Sequence, residues 1–524
     1  MKKPNVIFIL SDDHGQWALG SYGNKDVKTP NLDRLADKGI LFENFYCASP
    51  VCSPARASIL TGKMPSQHGV HDWIGNGCVE KKNYENILVS KKRYIASLGN
   101  EAEEDYHLID EKEKVSYKEI SQYKFVSHEV NKPIQYLRHD KAYTEILADS
   151  GYECGLIGKW HLGDSAAPQK GFSTWYAIGK GGCIYHLPDF YRNGKLEVRD
   201  EYISDVIVDE SINFIKDSVK KDKPFYLNLN YTAPHSPWIK EDQVEEVWAS
   251  YDNCAFDSVK YEGVHPNQVE RRHPGYNNPE KRRYMLQGYY SAITSMDYSI
   301  GRLLDYLEEN NLLDNTVIIF TSDNGMNLGQ HGIWGKGNGT FPMNFYDSSI
   351  KVPTIIYQKN AEIKNKVNFD MLSHYDFYPT ILDICGIDYK LDESFPGRSF
   401  APLLNNQELD CDKVLVVFDE YGPNRMIRDT RYKLIHRYPY GENELYDLEE
   451  DPWETKNLFN NEGYKSVIIS LENKLSKWFS KHTNTLVDGL ALGVNGNGQF
   501  SEVGARSAGK NPFKGSFHIE LDTK

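Results

Sequence analysis

The sequence contains no apolar stretch near the ~20 residues that a membrane-crossing helix requires. The run Val6-Ile7-Phe8-Ile9-Leu10 is far shorter and meets Ser11-Asp12-Asp13-His14 at once. It is also too short for a secretory h-region, no small-residue cleavage site follows it, and it reads as a buried strand. Paired cysteines are missing as well. Cys47, Cys52, Cys78, Cys154, Cys183, Cys254, Cys385 and Cys411 are scattered with no CxxC spacing, which argues against a disulfide framework. A reduced, cytoplasmic protein with no membrane partner is therefore expected. There is no basic excess: 60 Lys and Arg against 74 Asp and Glu leave a net charge of −14. That balance excludes a general nucleic-acid binder and disfavours wrapping around a long polyanion. No internal repeat is visible. What is present is an ordinary globular mixture, 40% hydrophobic and 26% charged over 524 residues, enough for a large core.

Apolar runs bounded by turn residues predict strands at Val6–Leu10, Phe225–Leu229, Val317–Phe320 and Pro353–Tyr357. Helical patterns lie between them, including Met285–Glu309 and Phe377–Ile384. A further helix opens at Thr29-Pro30-Asn31-Leu32-Asp33, with Asn31 as the expected cap. Strands alternating with helices argue for an α/β fold with a large, mostly parallel mixed sheet flanked by helices. Ligands of such sheets sit beyond the carboxyl ends of the strands. Two strands end in acidic pairs, Asp12-Asp13 and Asp323-Asn324, so both pairs are candidates for one site.

Residues about 80–140 are polar and rich in Lys and Glu, and read as a surface insertion. After about Phe400 the pattern changes to short runs at Val414–Phe418, Arg425–Arg428, Tyr432–His436 and Glu444–Asp447. These predict a smaller antiparallel sheet, followed by an amphipathic helix at Val467–Ser480. The tail from about Asp488 is rich in Gly, Asn and Ser, and is expected to be flexible or to wrap the surface. The expected division is a catalytic domain over 1–400 and a C-terminal subdomain over 401–524.

Cys52-Ser53-Pro54-Ala55-Arg56-Ala57-Ser58-Ile59-Leu60-Thr61-Gly62 carries the first chemical signal. Proline suits a helix's first turn, and Gly62 is a natural stop. Cys52 then lies at a helix N-terminus, where amide donors favour an anion, with Arg56 one turn along. Alone, Cys52 would read as a small buried hydrophobe. It is not alone. Cys-x-Pro-x-Arg with its Ala-Ser-Ile-Leu-Thr-Gly continuation resembles the signature of the formylglycine-dependent, Cys-type sulfatases of the alkaline phosphatase superfamily. Gly158-Lys159-Trp160-His161-Leu162-Gly163, Ala233-Pro234-His235, Ser322-Asp323-Asn324-Gly325 and Gln330-His331-Gly332-Ile333-Trp334-Gly335-Lys336 match further motifs of that family, in family order.

The resemblance implies an alkaline phosphatase/sulfatase-like fold and hydrolysis of a sulfate monoester. It implies that Cys52 is oxidised to formylglycine by a formylglycine-generating maturation enzyme. One hydroxyl of the hydrated aldehyde would attack sulfur, and the other would remain to break the adduct. By the same match, Asp12, Asp13, Asp323 and Asn324, with the modified Cys52, ligate one divalent cation. All-oxygen ligands favour Ca²⁺, with Mg²⁺ the second candidate. Arg56 would hold the diol, and Lys159 and Lys336 would sit on the sulfate oxygens. His161 would take a proton from the second hydroxyl. His235 would donate one to the leaving alcohol, with Lys336 able to share that task.

Two departures from the common pattern bear on substrate. The stretch from Gly337 to Phe345 is longer than in many relatives and is expected beside the sulfate pocket. Arg271-Arg272 and Lys281-Arg282-Arg283 offer positive charge for a second anionic group, against the simpler reading of a solvated surface. The expected substrate is a small sulfated carbohydrate. Two alternatives remain at this level: a formylglycine-bearing phosphonate or phosphate ester hydrolase, and a non-catalytic glycan-binding relative.

Overall fold

The computed structural model describes residues 3–75, 77–78, 88–90, 114–116, 133–260, 262–269, 278–359, 366–409, 417–438 and 441–513. Most of the stretch expected as an insertion at about 80–140 lies outside them, as do Arg271 and Arg272. Only the antiparallel pair Leu88–Ser90 and Lys114–Ser116 is seen there before residue 133.

The first strand, Asn5–Ser11, sits near the middle of a ten-stranded sheet. Across the sheet the order is Lys366–Asn368, Ile40–Phe42, Ile355–Gln358, Thr316–Ser322, Asn5–Ser11, Phe225–Asn230, Glu153–Lys159, Thr174–Ile178, Asp189–Arg192 and Lys195–Val198. The five strands from Thr316–Ser322 to Thr174–Ile178 run parallel, and antiparallel pairs flank them on both sides. The expected strand at Pro353–Tyr357 begins only at Ile355 and runs antiparallel to Thr316–Ser322.

Side chains alternate across a strand, and both faces of this sheet are covered. Val6, Phe8 and Leu10 enter one core with Ala57, Ile59, Phe377 and Ile381 from the helices Cys52–Thr61 and Phe377–Ile384. Ile7 and Ile9 enter the other with Leu32, Leu35, Val206, Ile207, Ile300 and Leu303 from the helices Pro30–Lys38, Ile203–Lys220 and Pro279–Glu309. The Pro30–Lys38 helix is capped differently from the sequence expectation. Thr29 occupies the cap position, and Asn31 lies inside the helix. The free amides of Asn31 and Leu32 donate to the carboxylate of Asp297, on the long helix, at 3.1 and 2.7 Å. A distant carboxylate has replaced a local cap, which no short-range pattern reveals.

Beyond residue 400 the strands Val417–Tyr421, Asn424–Arg428, Tyr432–Arg437 and Glu444–Asp447 form an antiparallel sheet. Ile427, Leu434 and Leu445 face the helix Lys465–His482, while Met426, Ile435 and Tyr446 join the core of the large sheet. The tail is packed rather than loose. Gln499 accepts from the amide of His71 at 2.8 Å and donates to the carbonyl of Gly69 at 3.1 Å, and Val487, Val494 and Val503 are buried. Among the described residues no disulfide is present, and no helix is long and apolar enough to cross a membrane.

His71 ties this tail down through Nε2, which donates to the carbonyl of Val487 at 2.6 Å. Burial pushes the imidazole down to about 4 from its ordinary 6.5. The unfolded chain therefore binds more protons between those values, and stability falls as pH is lowered through that window. One such group contributes a slope of at most ~1.4 kcal/mol per pH unit. His71→Gln should flatten the dependence of unfolding free energy on pH between 7 and 5, measured by denaturant titration. Equal slopes for the two proteins would show that His71 is not a source of this linkage.

Candidate active site

Four of the five parallel strands deliver the candidate residues side by side at their carboxyl ends. Thr316–Ser322 leads to Asp323 and Asn324, and Asn5–Ser11 leads to Asp12 and Asp13. Phe225–Asn230 leads to His235, and Glu153–Lys159 ends on Lys159 with His161 just beyond. Ser11 is in register with Ser322, so the two acidic pairs leave the sheet at the same level. The Asp13 amide donates to Asp323 Oδ1 at 3.1 Å, and the Asp12 amide to the carbonyl of Ala233 at 3.0 Å. Asp13 and His161 both hold positive φ, 61° and 54°. Left-handed backbone in non-glycine residues is strained, and the surrounding contacts must hold it in place. For Asp13 these include Tyr289, whose hydroxyl donates to its carbonyl at 2.8 Å.

Cys52 opens the ten-residue helix Cys52–Thr61, which Gly62 ends with a φ of 65°. The helix points its N-terminus at the acidic cluster. Lys336 Nζ lies 2.7 Å from Cys52 Sγ and also pairs with Asp13. Arg56 binds Asp323 at 2.8 Å through both Nε and a terminal nitrogen, and stands 3.8 Å from Asp12 Oδ1. Lys159 pairs with Asp12 at 2.5 Å. Three carboxylates thus face three cations, all of them buried. Breaking one such pair leaves an uncompensated charge in the interior, at a cost of roughly 3–5 kcal/mol.

The electrostatics follow from this matching. Burial pushes Asp12 up to about 7, with Asp323 adding to the rise and Lys159 opposing it. Burial acts upward on Asp13 and Asp323 too, but Lys336 and Arg56 outweigh it, and both carboxyls fall below the usual range. The Cys52 thiol is pushed up to about 12 by burial, despite Lys159 and Lys336. The unmodified side chain is therefore a neutral thiol rather than a thiolate nucleophile.

Two oxygens in this cluster lack a hydrogen-bond partner although fully buried, Asp12 Oδ1 and Asn324 Oδ1. Ligand atoms of Asp12, Cys52 and Asp323 lie within 4.8 Å of one another. Carboxylate and amide oxygens with spare lone pairs suit a hard divalent cation, so Asp12, Asp13, Asp323 and Asn324 fit such an ion.

The two histidines present opposite nitrogens. His161 Nε2 donates to the carbonyl of Ile74 at 3.1 Å, leaving Nδ1 buried without a partner. His235 Nδ1 donates to the carbonyl of Ser236 at 2.7 Å, and Nε2 stands 3.8 Å from Asp13 Oδ2. Burial lowers both rings, His235 to about 4.

The Sulfatase family model matches residues 4–100 and 119–387. The chain belongs to the sulfatase family. A second model, N-sulphoglucosamine sulphohydrolase, C-terminal, matches residues 329–481 of this sulfatase. Among curated relatives, an N-acetylglucosamine-6-O-sulfatase of Bacteroides thetaiotaomicron is 26% identical over 540 residues, covering 88% of this chain and 84% of the relative. An arylsulfatase of Clostridium perfringens is 28% identical over 529 residues, covering 94% and 97%. A solved structure, BT4656 in complex with its substrate D-glucosamine-2-N,6-O-disulfate, is 25% identical with a TM-score of 0.69, covering 92% of this sulfatase and 98% of that chain.

Cys52, Arg56, Lys159, His161, His235, Lys336, Asp12, Asp13, Asp323 and Asn324 of this sulfatase all gather at one end of the sheet. Other residues near the motifs have local duties instead. His14 Nε2 donates to the carbonyl of Ala18, His68 meets Ser58, and His331 stacks on Tyr346 with ring centroids 3.9 Å apart. Arg282 and Arg283 donate to the backbone carbonyls of Val259 and Cys254, which ties them to the neighbouring loop. Two residues escaped the sequence reading. A Cβ on Gly181 would run into the His161 ring, and one on Gly182 would press on His235 at 3.3 Å. Their signal was present: Gly179-Lys180-Gly181-Gly182 crowds glycine just past the parallel strand Thr174–Ile178.

Gly181→Ala should displace the His161 imidazole while leaving the sheet intact. Sulfate release should fall roughly 10- to 100-fold, since small misplacements within a site of this kind are costly. The melting temperature should move by only a few degrees, on the order of 1 kcal/mol. Wild-type turnover in this variant would show that the ring tolerates the added methyl group.

Proposed function

We propose that this sulfatase hydrolyses a sulfate monoester of a small carbohydrate and releases inorganic sulfate and an alcohol. The observation that carries the reading is the buried match of Asp12, Asp13 and Asp323 with Arg56, Lys159 and Lys336 around Cys52. Such a site removes an anion from water and meets it with fixed positive charge. The family implies a metal and a formylglycine in general. We propose Ca²⁺ as the metal, formylglycine at Cys52, and a formylglycine-generating enzyme as the maturation partner. When present, the hydrated formylglycine supplies a nucleophilic hydroxyl and the cation polarises the sulfate.

The chain's own residues do the rest. Asp12, Asp13, Asp323 and Asn324 hold the cation. Arg56, fixed by Asp323, keeps a planar fork of donors beside position 52. Lys159 and Lys336 exchange part of their carboxylate pairing for sulfate oxygens. His161 takes a proton at Nδ1, the nitrogen that its bond to Ile74 leaves bare. In its imidazolium form, which Asp13 favours at 3.8 Å and burial opposes, His235 donates the Nε2 proton to the leaving alcohol oxygen while its Nδ1–H stays on Ser236. Sulfated carbohydrates are favoured by the Bacteroides relative and by the disulfated glucosamine bound to BT4656.

Coexpression with a formylglycine-generating enzyme should yield a Cys52 peptide about 18 Da lighter, the thiol-to-aldehyde change. The matured protein should release sulfate from sulfated sugars, and Cys52→Ala should abolish that release. Turnover of phosphonate diesters with no sulfate ester hydrolysed would overturn the reading. Chelation should remove activity and Ca²⁺ restore it, whereas restoration by Zn²⁺ alone would contradict the oxygen-ligand assignment.

A further inference from the structure

The loop after Lys336 and the C-terminal tail meet at a second polar cluster. Gly337 donates to the carbonyl of Pro50 at 3.1 Å, which presses the loop against the segment leading into Cys52. One residue on, Asn338 donates through Nδ2 to the carbonyl of Gly496 at 3.2 Å. The same carbonyl accepts from Trp73 Nε1 at 3.2 Å, and Trp73 precedes Ile74, the partner of His161. The tail turn Gly496-Asn497-Gly498 is built for this close approach. Both glycines hold positive φ, 78° and 107°, and a Cβ on either would strike Asn338 or Trp73, at 2.7 and 2.9 Å. Asp72 pins the turn by accepting from the Gly498 amide at 3.0 Å.

Between these fixed points three side-chain amide atoms are unsatisfied. Asn497 is 1% exposed, and neither its Oδ1 nor its Nδ2 has a hydrogen-bond partner; Asn338 is 2% exposed, and its Oδ1 has none. A buried amide without partners costs free energy, so its presence calls for a group that supplies them. The cluster lies where the chain segments carrying Lys336 and His161 converge. We propose that Asn338 and Asn497 are specificity-determining residues that hydrogen-bond hydroxyl groups of the alcohol portion of the substrate. Amides offer both a donor and acceptors, which matches the donor and acceptor character of a sugar hydroxyl and gives nothing to an aryl ring. The tail of the chain thereby completes the substrate pocket. This inference rests on the sulfate-ester reading above.

The test compares kcat/KM of matured wild type, Asn338→Ala, Asn497→Ala and Asn497→Asp. The probes are a panel of regiodefined sulfated monosaccharides, including N-acetylglucosamine 6-sulfate, and 4-nitrophenyl sulfate. Loss on the preferred sugar sulfate should exceed loss on the aryl sulfate roughly 10- to 100-fold, chiefly through KM. Asn497→Asp keeps the side chain's shape, so it separates lost recognition from lost folding, with melting temperature as the control. Equal losses on both probes, or none on either, would overturn the proposal. Wild type active on the aryl sulfate but on no sugar would also overturn it, leaving sulfate-ester hydrolysis in place. Wild type that releases sulfate from neither probe would overturn the underlying reading itself.

Discussion

The structure is organised around a charge match. Asp13 and Asp323 could not remain ionised at the carboxyl end of the sheet without Lys336 and Arg56 beside them, and Lys159 opposes the burial that pushes Asp12 up. Each of these ions is almost fully withdrawn from water. Hydrophobic residues of similar volume would pack such a core at less cost, so the cluster is a concession of stability to chemistry. A protein with net charge −14 thus keeps three cationic side chains in its interior, each matched by a carboxylate.

The parallel sheet makes the match geometrically possible. Neighbouring strands lie about 4.8 Å apart, so residues leaving consecutive carboxyl ends arrive within reach of one another. The registers of Ser11 with Ser322 and of Leu10 with Asn230 set the level from which both acidic pairs and the His235 loop depart. The helix Cys52–Thr61 then crosses above them and carries Cys52 and Arg56 on one face, a turn apart. Left-handed backbone at Asp13 and His161 shows where ordinary strand and loop geometry did not suffice to aim the side chains.

The region beyond residue 400 is bound into this arrangement on two levels. Its small sheet has two apolar faces, one for its own helix and one for the main core. Lys433 and Arg428 from that sheet pair with Asp347 beside the site loop, and Glu454 joins Lys433 in the same buried network. The tail returns farther still, to His71, Asp72 and Trp73, just ahead of the residue that orients His161. Distant parts of the chain are therefore packed against the segments that carry the site.

Much of this was legible in the sequence because it depends on short-range pattern. Val6–Leu10 followed by Asp12-Asp13 is a strand with a carboxylate pair at its end, and Cys52-x-Pro54-x-Arg56 is a helix start with its cation attached. The helix at Phe377–Ile384 has the bounds its apolar periodicity gives. By itself the sequence determined the fold class, the chemistry of the residues and the end of the sheet where they had to meet. Tertiary structure alone decided what depends on partners far along the chain. Asp297 displaced Asn31 as the source of the cap, and Arg282 and Arg283 turned inward to carbonyls. Gly181 was required by the imidazole beside it, and a tail that composition left between flexible and wrapping was packed against His71, Asp72 and Trp73. Each of these is a contact between segments tens to hundreds of residues apart, and local propensity carries no record of such contacts.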